Sequence, residues 1–141
     1  MKFLGAESID SFDYSGYEGA TCEHDFNQPI SEDYHARYTV AIDGGTLEHV
    51  FNFPVAIANC MRMVEVGGHY LGLTPSNNLM GHGFYQFSPE LYFRVLSPEN
   101  GFSIEKMASP RRESLGVGIA FPTRKMSDVA SASTDPLHKC F

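Results

Sequence analysis

Short apolar runs separated by polar turn residues recur along most of this chain, and they predict β-strands. Six runs have this character, covering residues 8–12, 20–23, 38–42, 69–74, 102–107 and 115–121. Pro75 stops the fourth run, because proline has no amide hydrogen to offer a neighbouring strand. The last two runs predict an antiparallel pair joined by the polar segment 108–114.

Two other segments have apolar residues at helical spacing. The first follows Asn52, which is suited to a helix N-cap, and its apolar residues from Val55 to Val64 form one broad face. We expect Gly67-Gly68 to end it, because glycine commonly closes helices. The second begins at Ser88-Pro89-Glu90, a favourable helix start. The element order predicts an α/β domain with a mainly parallel sheet.

Composition and charge narrow the class of protein. The chain has 141 residues, 43% of them apolar and 19% charged, which is ordinary for one soluble globular domain. A net charge of −7 argues against nucleic acid as the main partner. The three cysteines lack the paired spacing of a disulfide framework or a zinc ribbon. No apolar run reaches the roughly 18 to 20 residues of a membrane span, so we expect a cytoplasmic protein without a membrane partner.

The chain is expected to divide into a domain over residues 1–123 and a weakly ordered tail over 124–141. From Ser127 onward the sequence is rich in serine, alanine and aspartate and has little apolar pattern.

Three aspartates follow three of the predicted strand ends, namely Asp13, Asp25 and Asp43. The carboxyl ends of parallel strands share one edge of a sheet, so residues far apart in sequence can line one crevice there. A carboxylate in such a crevice can accept hydrogen bonds from ribose hydroxyls or from an adenine amino group. The alternative is that each aspartate only ends its strand and caps a turn.

Glu48-His49 follows the third strand closely and could supply an acid and a base. The pair could also form half of a metal site with His24-Asp25 or with His82. The chain lacks the spacing His-x-x-x-His, and further ligands would have to come from distant loops. We therefore expect no metal, and we favour a capping or ligand-shaping role for His49.

The segment 74–88 combines amides, aromatic residues and a histidine between two glycines, which is typical of a substrate mouth. His82 is its acid or base candidate near neutral pH. Asn77, Asn78 and Tyr85 are its candidates for contact with a substrate. The alternative is an aromatic loop that only covers the sheet edge.

Several of these segments together resemble the class I S-adenosylmethionine-dependent methyltransferases of the type-11 and type-23 kind. The resemblance covers about residues 3–107. It is carried by Ser11-Phe12-Asp13-Tyr14-Ser15, by His24-Asp25-Phe26-Asn27, by residues 38–50 with Asp-Gly-Gly-Thr-Leu-Glu-His-Val, by Val66-Gly67-Gly68-His69-Tyr70 and by Thr74-Pro75-Ser76-Asn77-Asn78.

The resemblance implies a Rossmann-like fold and a site for S-adenosylmethionine. Asp13 would bind the ribose hydroxyls, and Asp25, with Phe26 beside it, would contact the adenine amine. The loop Asp43-Gly44-Gly45 would lie near the methionine part and the methyl group, and Glu48 belongs to the same set of cofactor residues.

The implied reaction is methyl transfer to an acceptor that the sequence does not identify. Enzymes of this class hold the sulfonium methyl in line with the acceptor atom, so positioning supplies much of the rate. If the acceptor must lose a proton, His82 or His49 would take it.

The family's first strand, with its glycine-rich Gly-x-Gly-x-Gly turn, has no counterpart between Met1 and the first predicted strand. We therefore expect an N-terminally truncated domain whose unpaired sheet edge favours association with a second copy. Three functions stay open. The first is an active methyltransferase completed by another chain or segment. The second is a methyltransferase-like remnant that only binds a partner or a ligand weakly, and the third is a small α/β binding module that uses residues 83–87 as its contact surface.

Overall fold

The computed structural model describes residues 5–108 and 117–122. The strands within these residues are β1 (Phe12–Asp13), β2 (Cys22–Glu23), β3 (Tyr38–Asp43), β4 (Val64–Pro75), β5 (Ile104–Ala108) and β6 (Val117–Pro122). The helices are α1 (Phe53–Met63) and α2 (Pro89–Val95), with short 3₁₀ turns at Gly16–Glu18, Glu32–Tyr34, Leu47–His49 and Pro98–Asn100. Among the described residues, no helix has the length and apolar character needed to cross a membrane.

The strands form two sheets. β1 and β2 pair in parallel, while the larger sheet has the order β3-β4-β6-β5. β3 and β4 are parallel and are connected through α1, whereas β6 pairs antiparallel with both β4 and β5. The expected mainly parallel sheet is therefore wrong for this larger sheet, which is mixed. The cause is β6, which returns from β5 in the opposite direction and inserts beside β4.

The predicted strands are present, but some differ in length. The antiparallel pair is confirmed as β5 and β6, and the strand predicted over 38–42 is confirmed as β3. The first two are only two residues long each, because polar side chains and 3₁₀ turns flank them. The predicted tail over 124–141 and most of the predicted connection 108–114 lie outside the described residues.

The prediction that Gly67-Gly68 ends the first helix is wrong. α1 ends at Met63, and both glycines lie inside β4. Pairing between β3 and β4 shifts in register there, from Tyr38 opposite Val64 to Val40 opposite His69. Gly67 has φ +83°, and a Cβ on Gly68 would lie 2.7 Å from the Thr39 carbonyl oxygen. These glycines therefore form a bulge in which β4 approaches β3 closely.

Replacing Gly68 by alanine is expected to lower the free energy of unfolding by about 2–3 kcal/mol, because the added methyl group meets backbone that must shift. Gly44→Ala is the matched control, since a Cβ there would meet nothing within 4 Å, and we expect a change within about 0.5 kcal/mol. Urea denaturation of both variants measures the difference. Equal denaturation midpoints for Gly68→Ala and Gly44→Ala would contradict the close approach of β4 to β3.

The core lies between α1 and the larger sheet. Tyr70 and Ile57 are almost fully buried there, and Phe87, Tyr92 and Phe102 close the cluster from the C-terminal half of the described chain. Burial of this apolar surface holds α1 against β3 and β4. It thereby fixes the loop between β3 and α1.

Side-chain amides attach the loop after β2 to α1. Buried Asn59 accepts a hydrogen bond from the Ile30 amide (3.0 Å) and donates one to the Gln28 carbonyl (2.8 Å). At the start of α1, the Asn52 amide donates to Asn27 Oδ1 (2.9 Å), and Asn52 Nδ2 donates to the Asn27 carbonyl (3.2 Å). The loops after β2 and β3 therefore meet at one edge of the protein.

Candidate functional site

Asp43, the last residue of β3, organises the loop that follows it. Its Oδ1 accepts hydrogen bonds from the amides of Thr46 (2.8 Å) and Leu47 (3.3 Å), and its Oδ2 accepts one from the Tyr70 hydroxyl (3.4 Å). The carboxylate is buried, and burial raises its pKa although the two amides act in the opposite direction. Both oxygens thus bind the protein itself, and contact of Asp43 with a cofactor stays a prediction.

The loop held by Asp43 leads into the 3₁₀ turn Leu47–His49, which places Glu48 in the interior. Only 2% of Glu48 is exposed. Its carbonyl oxygen accepts hydrogen bonds from the amides of Phe84 (2.7 Å) and Tyr85 (3.3 Å). The loop between β4 and α2 is therefore fixed on the backbone of Glu48.

That docking brings His82 to Glu48 and His49. Glu48 Oε1 lies 3.4 Å from His82 Nε2 and 4.0 Å from His49 Nε2, and the two imidazole rings lie 4.8 Å apart. Each histidine side chain is about half exposed, at 51% for His82 and 49% for His49. Glu48 Oε2 is buried without a hydrogen-bond partner among the described residues. The result is a buried carboxylate that faces two imidazoles at the surface.

Sequence reasoning named all three residues and considered Glu48-His49 with His82 as a metal site, but it did not favour that site. Glu48 was assigned to the cofactor, whereas His49 and His82 were alternative bases. The structure places them in one cluster, which we call the Glu-His-His site. The separation of 33 residues between His49 and His82 matches no motif, and the hydrogen bonds to the Glu48 carbonyl help to bring them together.

Aromatic side chains lie on the two loops that carry the Glu-His-His site. Phe51 and Phe84 are 72% and 64% exposed, and their rings meet edge to face with centroids 5.8 Å apart. The Tyr85 hydroxyl donates to the Phe51 carbonyl, and its ring stacks on Phe87. Sequence reasoning included Phe84 only within a loop and did not identify Phe51; exposed aromatic residues on adjoining loops carry no sequence signal of pairing.

The two amides predicted to contact substrate lie near the start of the same loop, just after β4. Asn77 and Asn78 are both exposed, and Asn77 Oδ1 accepts a hydrogen bond from the Asn78 amide (2.9 Å). Asn78 has a left-handed backbone, with φ +62°. They form a tight turn, and their contact with a substrate stays a prediction.

The predicted cofactor residues of the smaller sheet lie after β1 and β2. Asp13 Oδ1 accepts a hydrogen bond from the Ser15 amide (2.9 Å). Asp25 Oδ1 accepts from both the backbone amide (2.9 Å) and the side-chain amide (2.8 Å) of Asn27, and the backbone bond is the main reason that the pKa of Asp25 is lowered. Phe26 is partly buried against the core.

The loop that carries Asp25 and Phe26 is the one attached to the start of α1. Asn27 makes this attachment, and it binds both Asp25 and Asn52. Asn52 was predicted to cap α1 with its side chain, but that side chain makes no cap hydrogen bond and instead donates to the Asn27 carbonyl. The structure therefore brings the Asp25 loop and the β3–α1 loop to the same edge.

Comparison with known proteins bears on the fold. No protein-family model and no curated protein sequence matches the chain. Among solved structures, it is similar to the Burkholderia thailandensis 1,6-didemethyltoxoflavin-N1-methyltransferase, crystallised with bound 1,6-didemethyltoxoflavin and S-adenosylhomocysteine. The TM-score is 0.59 at 14% sequence identity, over 88% of this chain. This chain spans 64% of that protein, which is less than two thirds of its length.

The chain therefore has a methyltransferase-like α/β fold. This confirms the predicted resemblance at the level of fold. The type-11 or type-23 assignment, the missing glycine-rich strand and the site residues stay predictions.

Proposed function

We propose that this protein binds S-adenosylmethionine and transfers its methyl group to a small-molecule acceptor. The observation that carries the proposal is the fold likeness, over 88% of the chain, to a methyltransferase crystallised with S-adenosylhomocysteine and a small substrate. The net charge of −7 also favours a small acceptor over a nucleic acid.

The cofactor would lie along the loops after β1 and β2. Asp13 would accept hydrogen bonds from the ribose hydroxyls, as carboxylates at such strand ends do. Asp25 would accept one from the adenine amine, since its lowered pKa keeps it ionised and Asn27 fixes its orientation. Phe26, beside it, offers an apolar surface to the adenine ring.

The acceptor would lie at the Glu-His-His site. His82 or His49 would take a proton from the acceptor, and buried Glu48 would stabilise the imidazolium that forms. Exposed Phe51 and Phe84 beside them favour an acceptor with a flat apolar part. Asp43 would act indirectly, by holding the loop that presents Glu48 and His49.

Isothermal titration calorimetry with S-adenosylhomocysteine tests the cofactor site. We expect binding by the wild type and at least about a tenfold loss of affinity in Asp13→Ala, because a carboxylate that accepts two ribose hydroxyls is removed. Glu18→Ala is the matched control, since Glu18 is an exposed acid in the next turn of the chain, and its affinity should be unchanged. Absence of binding at millimolar ligand would contradict the proposal.

A binding module without methyl transfer is the second candidate. The observation that favours it is the exposed aromatic pair formed by Phe51 and Phe84, together with Met80, which lies in the same loop as Phe84 and is 93% exposed. Association of two copies through β3 stays a further prediction. β3 is the end strand of the larger sheet, and its Val40 and Ile42 are 48% and 44% exposed.

A further inference from the structure

We propose that Glu48, His49 and His82 form a binding site for one divalent transition-metal ion of the zinc type, with a coordination position left open. The proposal reverses the expectation that the chain binds no metal. That expectation rested on motif spacing, and the third ligand arrives from a distant loop instead.

The distances fit such an ion. Ligand atoms about 2.0–2.1 Å from a tetrahedral zinc ion lie about 3.3 Å from one another. Glu48 Oε1 and His82 Nε2 are already 3.4 Å apart, and Glu48 Oε1 and His49 Nε2 are 4.0 Å apart. All three ligand atoms lie within 4.8 Å of one another. The imidazoles are half exposed, so small side-chain rotations can close the remaining gap.

The state of Glu48 points independently to a cation. Buried carboxylate oxygens normally have hydrogen-bond partners, yet Oε2 has none among the described residues. Two imidazoles also face Oε1, and a carboxylate is costly to bury without a counter-charge. A metal ion bound to this carboxylate would balance its charge.

The donor set indicates which ion. Two imidazole nitrogens with one carboxylate oxygen suit zinc and its neighbours in the transition series, whereas magnesium and calcium prefer oxygen ligands alone. Three protein ligands leave a fourth position for water or a substrate, as in catalytic zinc sites. The half-exposed histidines place that position at the surface.

The chemical consequence rests on the proposed function. An ion at this position would bind an acidic oxygen or nitrogen of the acceptor and lower its pKa, so the bound acceptor would release its proton to solvent water. The imidazoles would then act as ligands rather than as bases. This narrows the acceptor to molecules with an ionisable donor atom beside the methylated position or at it.

Titration of the full chain, without a polyhistidine tag, with Zn²⁺ alone tests the site. We expect one tight site per chain, with affinity at least about 100-fold weaker in His82→Ala and in His49→Ala. His69→Ala is the matched control. His69 Nε2 lies 4.0 Å from Glu105 Oε2, a similar separation, but both side chains are exposed. Its affinity should equal that of the wild type.

Co²⁺ gives a second measurement, because its visible absorption reports ligand geometry. We expect a tetrahedral spectrum in the wild type that is lost in His82→Ala. The proposal is overturned if the wild type binds no Zn²⁺ at about 1 mM, if His82→Ala binds normally, or if His69→Ala is equally weakened. Neither titration contains S-adenosylhomocysteine, so failure of the metal site is distinguishable from failure of the cofactor site.

Discussion

Asp43→Ala is expected to lower the free energy of unfolding by about 3–5 kcal/mol, the largest loss among the variants considered. The carboxylate accepts hydrogen bonds from Thr46, Leu47 and Tyr70, and alanine offers these donors no acceptor. Each buried donor left unpaired costs about 1–3 kcal/mol. Tyr70 is fully buried, so its hydroxyl cannot turn to water. Urea denaturation monitored by circular dichroism measures the loss.

Asp43→Asn is the matched control for geometry. Its side-chain oxygen can still accept from Thr46 and Leu47, and its amide can donate to the Tyr70 hydroxyl. We therefore expect the asparagine variant to keep most of the stability that alanine loses. Equal destabilisation of the two variants would contradict a role based on these hydrogen bonds.

Comparison of the wild type with Asp43→Asn should also reveal a pH dependence. Burial raises the pKa of Asp43 in the folded state, so the folded wild type holds this proton more tightly than the unfolded chain does. The free energy of unfolding of the wild type is then highest below the pKa of this aspartate in the unfolded chain, about 4. It falls as the pH rises from there through the pKa of the folded state. Asparagine does not titrate. The stability of Asp43→Asn relative to the wild type should therefore rise over that interval, and a fall would contradict the shift.

The sequence predicted the strand and helix positions well where apolar pattern decides them. The α1 face was predicted from an apolar run that the core then buries. β3 was also predicted from an apolar run, although its Val40 and Ile42 are 48% and 44% exposed. The end of α1 was misjudged because glycine suits two different features. Gly67-Gly68 could end a helix, or it could let two strands approach each other closely. The pairing of β4 with β3 at Thr39 decides between these two roles.

The mixed sheet was not predictable in the same way. Residues 102–107 and 115–121 indicate two strands, but local pattern does not say which of them lies beside β4. The larger sheet places β6 there, and its return direction makes both of its pairings antiparallel. Tertiary order of this kind depends on contacts between distant segments, which periodicity does not contain.

The Glu-His-His site shows the same division between local and distant information. Glu48 and His49 were identifiable because they adjoin a strand end, and His82 because it lies between two glycines. Their meeting depends on hydrogen bonds from Phe84 and Tyr85 to the Glu48 carbonyl. Backbone contacts of this kind leave no trace in residue type, so the sequence argued against the metal site that we propose.

The two glycines beside His82 provide the second large expected effect. Gly81 and Gly83 both have left-handed backbones, with φ +81° and +72°. They differ in their surroundings. A Cβ on Gly83 would lie 2.7 Å from the Glu48 carbonyl oxygen and 3.0 Å from Glu48 Cγ, whereas a Cβ on Gly81 would meet nothing within 4 Å. Alanine substitutions at these two glycines therefore separate the effect of backbone strain from the effect of a clash with Glu48.

Gly83→Ala is expected to lower the free energy of unfolding by about 2–4 kcal/mol, and Gly81→Ala by about 1–2 kcal/mol. Left-handed strain of about 1–2 kcal/mol is common to both, and the clash with Glu48 adds about 1–3 kcal/mol to the first alone. Because that clash pushes the loop away from Glu48, the nuclear Overhauser effect between the His49 and His82 rings should also disappear in Gly83→Ala and persist in Gly81→Ala. Urea denaturation and proton NMR measure the two effects. If both variants keep the contact between the imidazoles, then close docking of this loop on Glu48 does not assemble the site.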